Sequence, residues 1–316
     1  MGVVAVAGGT GNMGRTIVDA LVASKKHKTV ILSRKPNPDL ERELGVPIIA
    51  VDYDNVKAVA EALEQNNVDT VISAIMMMPG PGGDPKEIQL IRAAADLSKT
   101  TKRVISSDYG LPHSEEHDEQ LPSVIYKKKA QEELKTVKDL ETTRIICGQF
   151  MDYWGIPGVK SHFSAFPIAV DIANDAAAIP GDGNTPVIMT HTSDVGKYVA
   201  ASLDLEKWDP VHYIASDKVS LNELLSYAEE AKGKKFSVTY DSVESLKQGH
   251  LTELPGQAAN YKYIPKEVVQ KLLVSFHLWY AEGVFNFEHG TTLNDKFPEI
   301  KPLKVKEMID RAWKKD

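Results

Sequence analysis

Gly8, Gly11 and Gly14 stand at the spacing G-x-x-G-x-x-G, with Thr10, Asn12 and Met13 among the residues between them. Glycines so placed leave backbone N–H groups bare, and bare amides at a helix start bind anions, phosphates above all. Whether they do so here depends on the flanks. Val3-Val4-Ala5-Val6-Ala7 is an unbroken run of small and β-branched apolar residues, the pattern of a buried parallel strand. Ile17, Val18 and Leu21 then recur at helical spacing. Strand, glycine turn and helix in that order form a dinucleotide-binding fingerprint. In it Gly8 makes the tight strand exit, Gly11 admits a pyrophosphate to the backbone, and Gly14 lets the helix pack on the sheet.

The elements that must position this loop follow in order. A second strand, Thr29 to Leu32, ends at Ser33-Arg34-Lys35. A carboxylate at that point would bond the ribose hydroxyls of NAD, whereas a basic residue accommodates a 2′-phosphate. Arg34 and Lys35 therefore indicate NADP(H). A third strand, Pro47 to Val51, brings Asp52 and Tyr53 to a position that flanks the adenine. A fourth, Thr70 to Ile75, carries Ser73, Ala74 and Ile75 to the sheet edge where ligands bind, with Met77 directed to the substrate. The loop Pro79-Gly80-Pro81-Gly82-Gly83 after it is placed to cover the nicotinamide. A fifth strand, Arg103 to Ser106, ends with Ser106 and Ser107 at the cofactor and Tyr109 at the substrate. A sixth, Thr143 to Cys147, leads to Phe150, Tyr153 and Trp154, the candidates for holding the substrate. Helical segments over 56–65, 86–97 and 124–140 alternate with these strands, so the fold class is α/β with a doubly wound parallel sheet.

Composition bounds the partners. A net charge of −7 argues against a nucleic-acid surface, which needs clustered Lys and Arg. No apolar run approaches the roughly 20 residues of a membrane span, and a first strand at residue 3 leaves no room for a signal peptide. The single cysteine, Cys147, lies in an apolar run and fits a buried structural thiol in a reducing compartment. The expectation is a cytoplasmic protein, monomer or homodimer, with a small-molecule substrate. His113-Ser114-Glu115-Glu116-His117 matches a metalloprotease pattern that works only on a helix. The prolines at 112 and 122 favour an exposed loop there, and no metal is expected.

From Gly155 the pattern turns to short strands, turns and capped helices. Val187 to Thr190 is a strand, Ser193 caps a helix to Leu203, and Ser220 with Glu223 forms a capping box. Phe236 to Tyr240 is a strand, and 265–280 is a helix with apolar residues at Val268, Val269, Leu272 and Leu273. A last helix covers 304–315. Residues 1–154 thus read as the NADP-binding domain, with 190–205 returning to it. Residues 155–316 read as mainly a smaller α+β substrate domain, interleaved with the first.

Several segments together resemble the NmrA-like and isoflavone-reductase-like atypical short-chain dehydrogenases. They are Gly8-Gly9-Thr10-Gly11-x-x-Gly14, Arg34, Lys102-Arg103-Val104-Ile105-Ser106-Ser107-Asp108-Tyr109-Gly110, a helical lysine followed by Glu133, Gly148-Gln149-Phe150-x-Asp152-Tyr153, and Ser193-Asp194-Val195-Gly196-Lys197-Tyr198. The resemblance extends through about residue 205. It implies a Rossmann domain holding NADPH, and reduction of small, often aromatic or polyketide-like molecules. Some relatives only sense NADP(H) and bind a regulatory partner.

Ordinary short-chain dehydrogenases set the acid in Tyr-x-x-x-Lys; here Ile125 stands four before Lys129, and Tyr126 only three. Lys129 does match Lys-x-x-x-Glu with Glu133 and is the expected catalytic residue, which also touches the cofactor. An ammonium at the nicotinamide edge binds ribose hydroxyls and protonates or polarises a carbonyl oxygen. The reading is an NADPH-dependent reductase of a ketone or enone, the alternative a non-catalytic NADP(H) sensor.

Overall fold

The structure, a computed structural model, describes residues 2–79, 83–114 and 120–314. Contacts divide the described chain into two compact units. One comprises residues 1–109, 113–146 and 195–213, the other 110–112, 147–194 and 214–316. Residues 147–154 thus group with the second unit, and 195–213 with the first.

The first unit is built on β1 (Val3–Ala7), β2 (Lys28–Ser33), β3 (Ile48–Ala50), β4 (Thr70–Ser73), β5 (Arg103–Gly110) and β6 (Glu141–Ile146). With the strand Val211–Tyr213 they form a seven-stranded sheet ordered Val211–Tyr213, β6, β5, β4, β1, β2, β3. Neighbours pair in parallel: Val4 faces Thr29 on one side and Thr70 on the other. The order reverses at β1, so the crevice outside the carboxyl ends of β1 and β4 is where an open α/β sheet takes its ligand. Between the strands run α1 (Asn12–Ser24), α2 (Pro38–Leu44), α3 (Val56–Gln65), α4 (Glu87–Arg92, continued by a π turn over Ala93–Leu97) and α5 (Pro122–Thr136). Ala5, Leu32, Leu63, Val71, Leu90 and Val104 pack in one buried cluster, whose removal from water helps drive the folding of this unit. β5 outruns its expected end at Ser106. Its polar residues Ser106, Ser107 and Asp108 are buried and hydrogen-bonded, so the strand continues through residues that read as a loop.

The second unit is α+β. Gln149–Phe150, Pro186–Thr190 and Asp217–Ser220 make one three-stranded sheet, and Val170–Asp171, Ala176–Pro180 and Ser237–Asp241 a second. Ser220 caps the helix Leu221–Lys232, and its capping box with Glu223 is complete. The helix expected after a Ser193 cap instead starts at Thr192. The helix Lys266–Ala281 buries Val269 and Leu273, but Val268 is exposed. No helix of the described residues is long and apolar enough to cross a membrane.

Candidate functional site

The glycine loop closes at the start of α1. Gly8 has φ +75°, and a Cβ there would lie 2.7 Å from the Ala74 carbonyl oxygen. A Cβ on Gly14 would lie 2.2 Å from the Gly8 carbonyl oxygen, so both glycines are demanded by the fold itself. Gly11 differs. Its nearest neighbour to a Cβ is the Gly8 oxygen at 3.4 Å, an ordinary contact, and its φ of −87° suits any residue. The room over Gly11 faces outward, beside exposed Thr10 and Asn12 and half-buried Met13. No side chain caps α1 and no acidic residue stands in its first turn. Its first amides and the positive end of its dipole are therefore left for an anion.

Ser33 ends β2, and Arg34 and Lys35 follow it, both exposed. No carboxylate lies among them, so this end of the sheet is basic and fits a 2′-phosphate. The third strand departs from expectation. Asp52 is exposed, but Tyr53 is buried in the core cluster and its hydroxyl donates to the Leu32 carbonyl oxygen at 3.1 Å. Burial pushes its hydroxyl pKa up, and the ring braces the sheet from inside instead of flanking an adenine.

At the ends of β4 and β5, Ser73 is fully buried and Ala74 and Ile75 are half-buried. The Ala74 N–H donates to the Ala7 carbonyl oxygen at 2.8 Å and so extends the β1–β4 ladder. Ser107 Oγ donates to the Ile75 carbonyl oxygen at 2.8 Å, and Tyr109 Oη to the Ser73 carbonyl oxygen at 3.1 Å. Met77, expected at the substrate, is instead buried with Ile91 and Ala130, while its neighbour Met76 is exposed. Of the loop expected to cover the nicotinamide, Gly80 to Gly82 lie outside the described residues.

The lysines of α5 sort by helical phase. Val124 and Ala130 are buried and set the inward direction. Lys127, three residues after Val124, turns with them, and its side chain is 14% exposed. Its Nζ donates to the Tyr109 carbonyl oxygen at 3.2 Å and stands 3.4 Å from Asp108 Oδ1. Lys129, the expected catalytic residue, is exposed; its ammonium lies over the Tyr126 ring at 5.4 Å, by an open cleft of about 490 Å³. The pairing with Glu133 does not select it either, since both oxygens of Glu133 accept from Arg92 of α4, at 2.7 and 2.9 Å. Two residues along an α-helix are about 200° of rotation, which takes Lys129 to the far side from Lys127. Tyr126 donates to Asp84 Oδ1 at 2.6 Å, and that bond raises its pKa.

Asp108 is the hub that holds Lys127. It is 1% exposed, and its Oδ2 accepts from Gln131 Nε2 at 2.7 Å and Arg144 Nη1 at 3.0 Å. Its Oδ1 lies 3.4 Å from Lys127 Nζ and 3.4 Å from His113 Nε2. Burial alone would raise its carboxyl pKa, but Lys127, His113 and Arg144 outweigh it and hold it well below the usual carboxylate range. His113 therefore does not sit in an exposed loop, as its proline flanks indicated: its side chain is 5% exposed. Glu115 to His117 lie outside the described residues, and no group of three metal-binding side chains assembles among the described ones.

In the second unit Phe150 and Tyr153 are half-buried and join two residues that the sequence reading passed over. Phe163 lies 5.3 Å from Phe150 and 6.0 Å, edge-on, from Tyr153, and Phe166 lies 6.3 Å from Tyr153. Burial, with nearby Asp152, pushes the Tyr153 hydroxyl pKa up, so it stays protonated near neutrality. Trp154 does not share this surface. It is buried, and its Nε1 donates to the Ile168 carbonyl oxygen at 3.1 Å. Phe163 and Phe166 carried a faint signal, two aromatics three apart in an otherwise polar segment.

Comparison with known proteins matches this architecture. The model of the NmrA-like family matches residues 1–315. The chain is 34% identical over 316 residues to "Oxidoreductase BOA1" of Botryotinia fuckeliana, covering 99% of this chain and 98% of the relative. It is 30% identical over 341 residues to "Oxidoreductase swnN" of Metarhizium robertsii, covering 99% and 98%. Among solved structures, the leucoanthocyanidin reductase–NADPH complex from Vitis vinifera superposes with a TM-score of 0.74 at 20% identity, over 98% of both chains, a likeness of fold. With residues 1–315 matched by the family model and a 34% identical relative covered almost end to end, the chain belongs to the NmrA-like family.

Proposed function

We propose that this chain is an NADPH-dependent oxidoreductase that reduces a ketone or enone in a small aromatic or polyketide-like metabolite. Its relatives are named oxidoreductases, and the structures of like fold include reductases bound to NADPH or NADP⁺. The observation that carries the reading is Lys127, an ammonium nearly withdrawn from solvent and fixed at the carboxyl end of β5 by Asp108 and the Tyr109 carbonyl. NADPH, when bound, supplies hydride from C4 of its nicotinamide. The uncapped start of α1, with Gly11, takes the pyrophosphate, and Arg34 with Lys35 takes the 2′-phosphate.

Lys127 then meets the negative charge that develops on the substrate oxygen as hydride reaches carbon. It donates a proton to that oxygen, or to the enolate of an enone, and is reprotonated from solvent. Asp108 keeps the ammonium aimed. Phe150, Tyr153, Phe163 and Phe166 offer ring faces and edges suited to an apolar, planar substrate.

The test is NADPH consumption, followed at the nicotinamide absorbance, against a panel of aromatic ketones, aliphatic ketones and enones. Turnover of an enone or ketone with NADPH and not NADH is the expected result. Tight NADPH binding with no turnover across the panel would overturn the reductase reading in favour of a sensor of NADP(H).

A further inference from the structure

Glu87 opens α4 and is 1% exposed, yet nothing in the cofactor loop or the Lys127 hub uses it. Its surroundings are specific. β4 and β5 pair through Thr70–Arg103, Val71–Val104 and Ile72–Ile105, and there the ladder stops. One residue further the two strands are joined by the Glu87 carboxylate. Oε1 accepts from Ser106 Oγ and from the Ser107 N–H, each at 2.9 Å, and Oε2 accepts from Ser73 Oγ. One side chain from a helix thus replaces the missing rungs between two strand ends. The bonds beyond it, Ser107 Oγ to the Ile75 carbonyl and Tyr109 Oη to the Ser73 carbonyl, depend on that spacing. Burial raises the Glu87 pKa while the three donors oppose the rise.

We propose that Glu87 is a positioning residue, whose carboxylate clamps the carboxyl ends of β4 and β5 and so sets the floor on which the nicotinamide half of NADP(H) rests. The proposal rests on the NADP(H) reading above and divides the cofactor in two. The adenosine half answers to the glycine loop and Arg34 on β1 and β2, which Glu87 does not touch. The nicotinamide half answers to the Ser73–Ile75 and Ser106–Ser107 backbones, which it does.

The experiment compares two probes on the full chain, NADPH and 2′,5′-ADP, the latter carrying only the adenosine half. For Glu87→Ala the NADPH Kd rises about tenfold while the 2′,5′-ADP Kd stays within about twofold of wild type. Glu87→Gln keeps the shape and one acceptor oxygen, and its amide faces a serine hydroxyl able to accept, so it restores NADPH affinity to within about threefold. Ser73→Ala cuts the β4 arm, together with the 3.4 Å bond that Ser73 Oγ accepts from the Ile75 N–H, in a side chain wholly buried from any ligand. It raises the NADPH Kd about threefold, again without moving 2′,5′-ADP, and serves if Glu87→Ala does not fold. Unchanged NADPH affinity in these variants, or parallel loss of both probes, overturns the proposal. Wild-type protein that binds neither probe overturns the cofactor reading beneath it as well.

Discussion

The glycine loop and the Lys127 hub occupy one sheet and are built in opposite ways. The loop is seven consecutive residues, closed largely by bonds close in sequence: Gly11 N–H donates to the Gly8 carbonyl oxygen at 2.9 Å and Gly9 N–H to that of Val6 at 3.3 Å, with one bond from outside the loop's own stretch, Gly8 N–H to the Leu32 carbonyl oxygen at 3.1 Å. The hub collects Asp108, His113, Lys127, Gln131 and Arg144 from one strand, one loop, one helix and another strand around a single buried carboxylate. A site of the first kind depends mainly on its own residues and on the backbone of the strands beside it. A site of the second kind fails wherever one arm is cut, because a buried charge loses its partner.

The sharpest way to break that contrast is at the lysines. Lys127→Ala should lower kcat about a thousandfold, within the range for loss of a positioned acid, while NADPH binding holds. Lys129→Ala should change kcat by less than about twofold. Steady-state kinetics of the two variants decide it, and the reverse pattern would return the catalytic role to Lys129.

Cutting the hub at its centre comes next. Asp108→Asn leaves Lys127 and Arg144 buried against a neutral amide and should cost about 3 kcal/mol of stability at pH 7. The sign of its pH dependence follows from the depressed carboxyl pKa. Asp108 binds its proton less readily folded than unfolded, so its contribution is whole above the unfolded pKa near 4 and fades as the pH falls through the folded value. Urea unfolding of wild type and variant should therefore show a gap that is widest near neutrality and narrows below about pH 4. A gap that stays constant with pH would mean that the charge of Asp108 does not organise the hub.

The two constructions also explain what could be read before the fold was in view. The loop, the parallel sheet and the basic end of β2 are written in contiguous patterns, so the strand–turn–helix order and Arg34 carry them outright. Which of the three lysines turns inward was legible as well, through a different signal. Val124 and Ala130 fix the phase of α5, and Lys127 and Gln131 share a face with them at spacings of three and four. The match of Lys129 to Glu133 points the other way, to a lysine that the same phase leaves exposed. Tyr53 and Met77 were expected at the ligand because they follow strand ends, but large apolar bodies at such positions also fill core, and here they do. Glu87 was not legible. An acid at a helix start is ordinary, and only three donors arriving from two strands make it a clamp.

On the loop side the expected effects are smaller and confined to the cofactor. Arg34→Ala should raise the NADPH Kd about thirtyfold, the loss of roughly 2 kcal/mol for a charge-assisted contact to phosphate, with NADH affinity nearly unchanged. Equal losses for the two cofactors, measured by fluorescence titration, would remove Arg34 from the 2′-phosphate.

The smallest change separates what the loop does for the fold from what it does for a ligand. A Cβ at Gly14 meets backbone at 2.2 Å, so Gly14→Ala should disrupt the protein. A Cβ at Gly11 meets nothing closer than 3.4 Å, and the backbone there is already extended at φ −87° and ψ 175°. Gly11→Ala should then leave stability unchanged, or raise it by up to about 1 kcal/mol through the stiffer unfolded chain. The methyl group nonetheless stands where a pyrophosphate must meet the backbone, and the NADPH Kd should rise about tenfold, the cost of forcing a contact apart by part of an ångström. Thermal melting and NADPH titration on the same sample read the two effects separately. A Gly11→Ala protein that melts as wild type and binds NADPH weakly marks a glycine kept for the ligand alone. One that binds NADPH as wild type does would place the pyrophosphate elsewhere on α1.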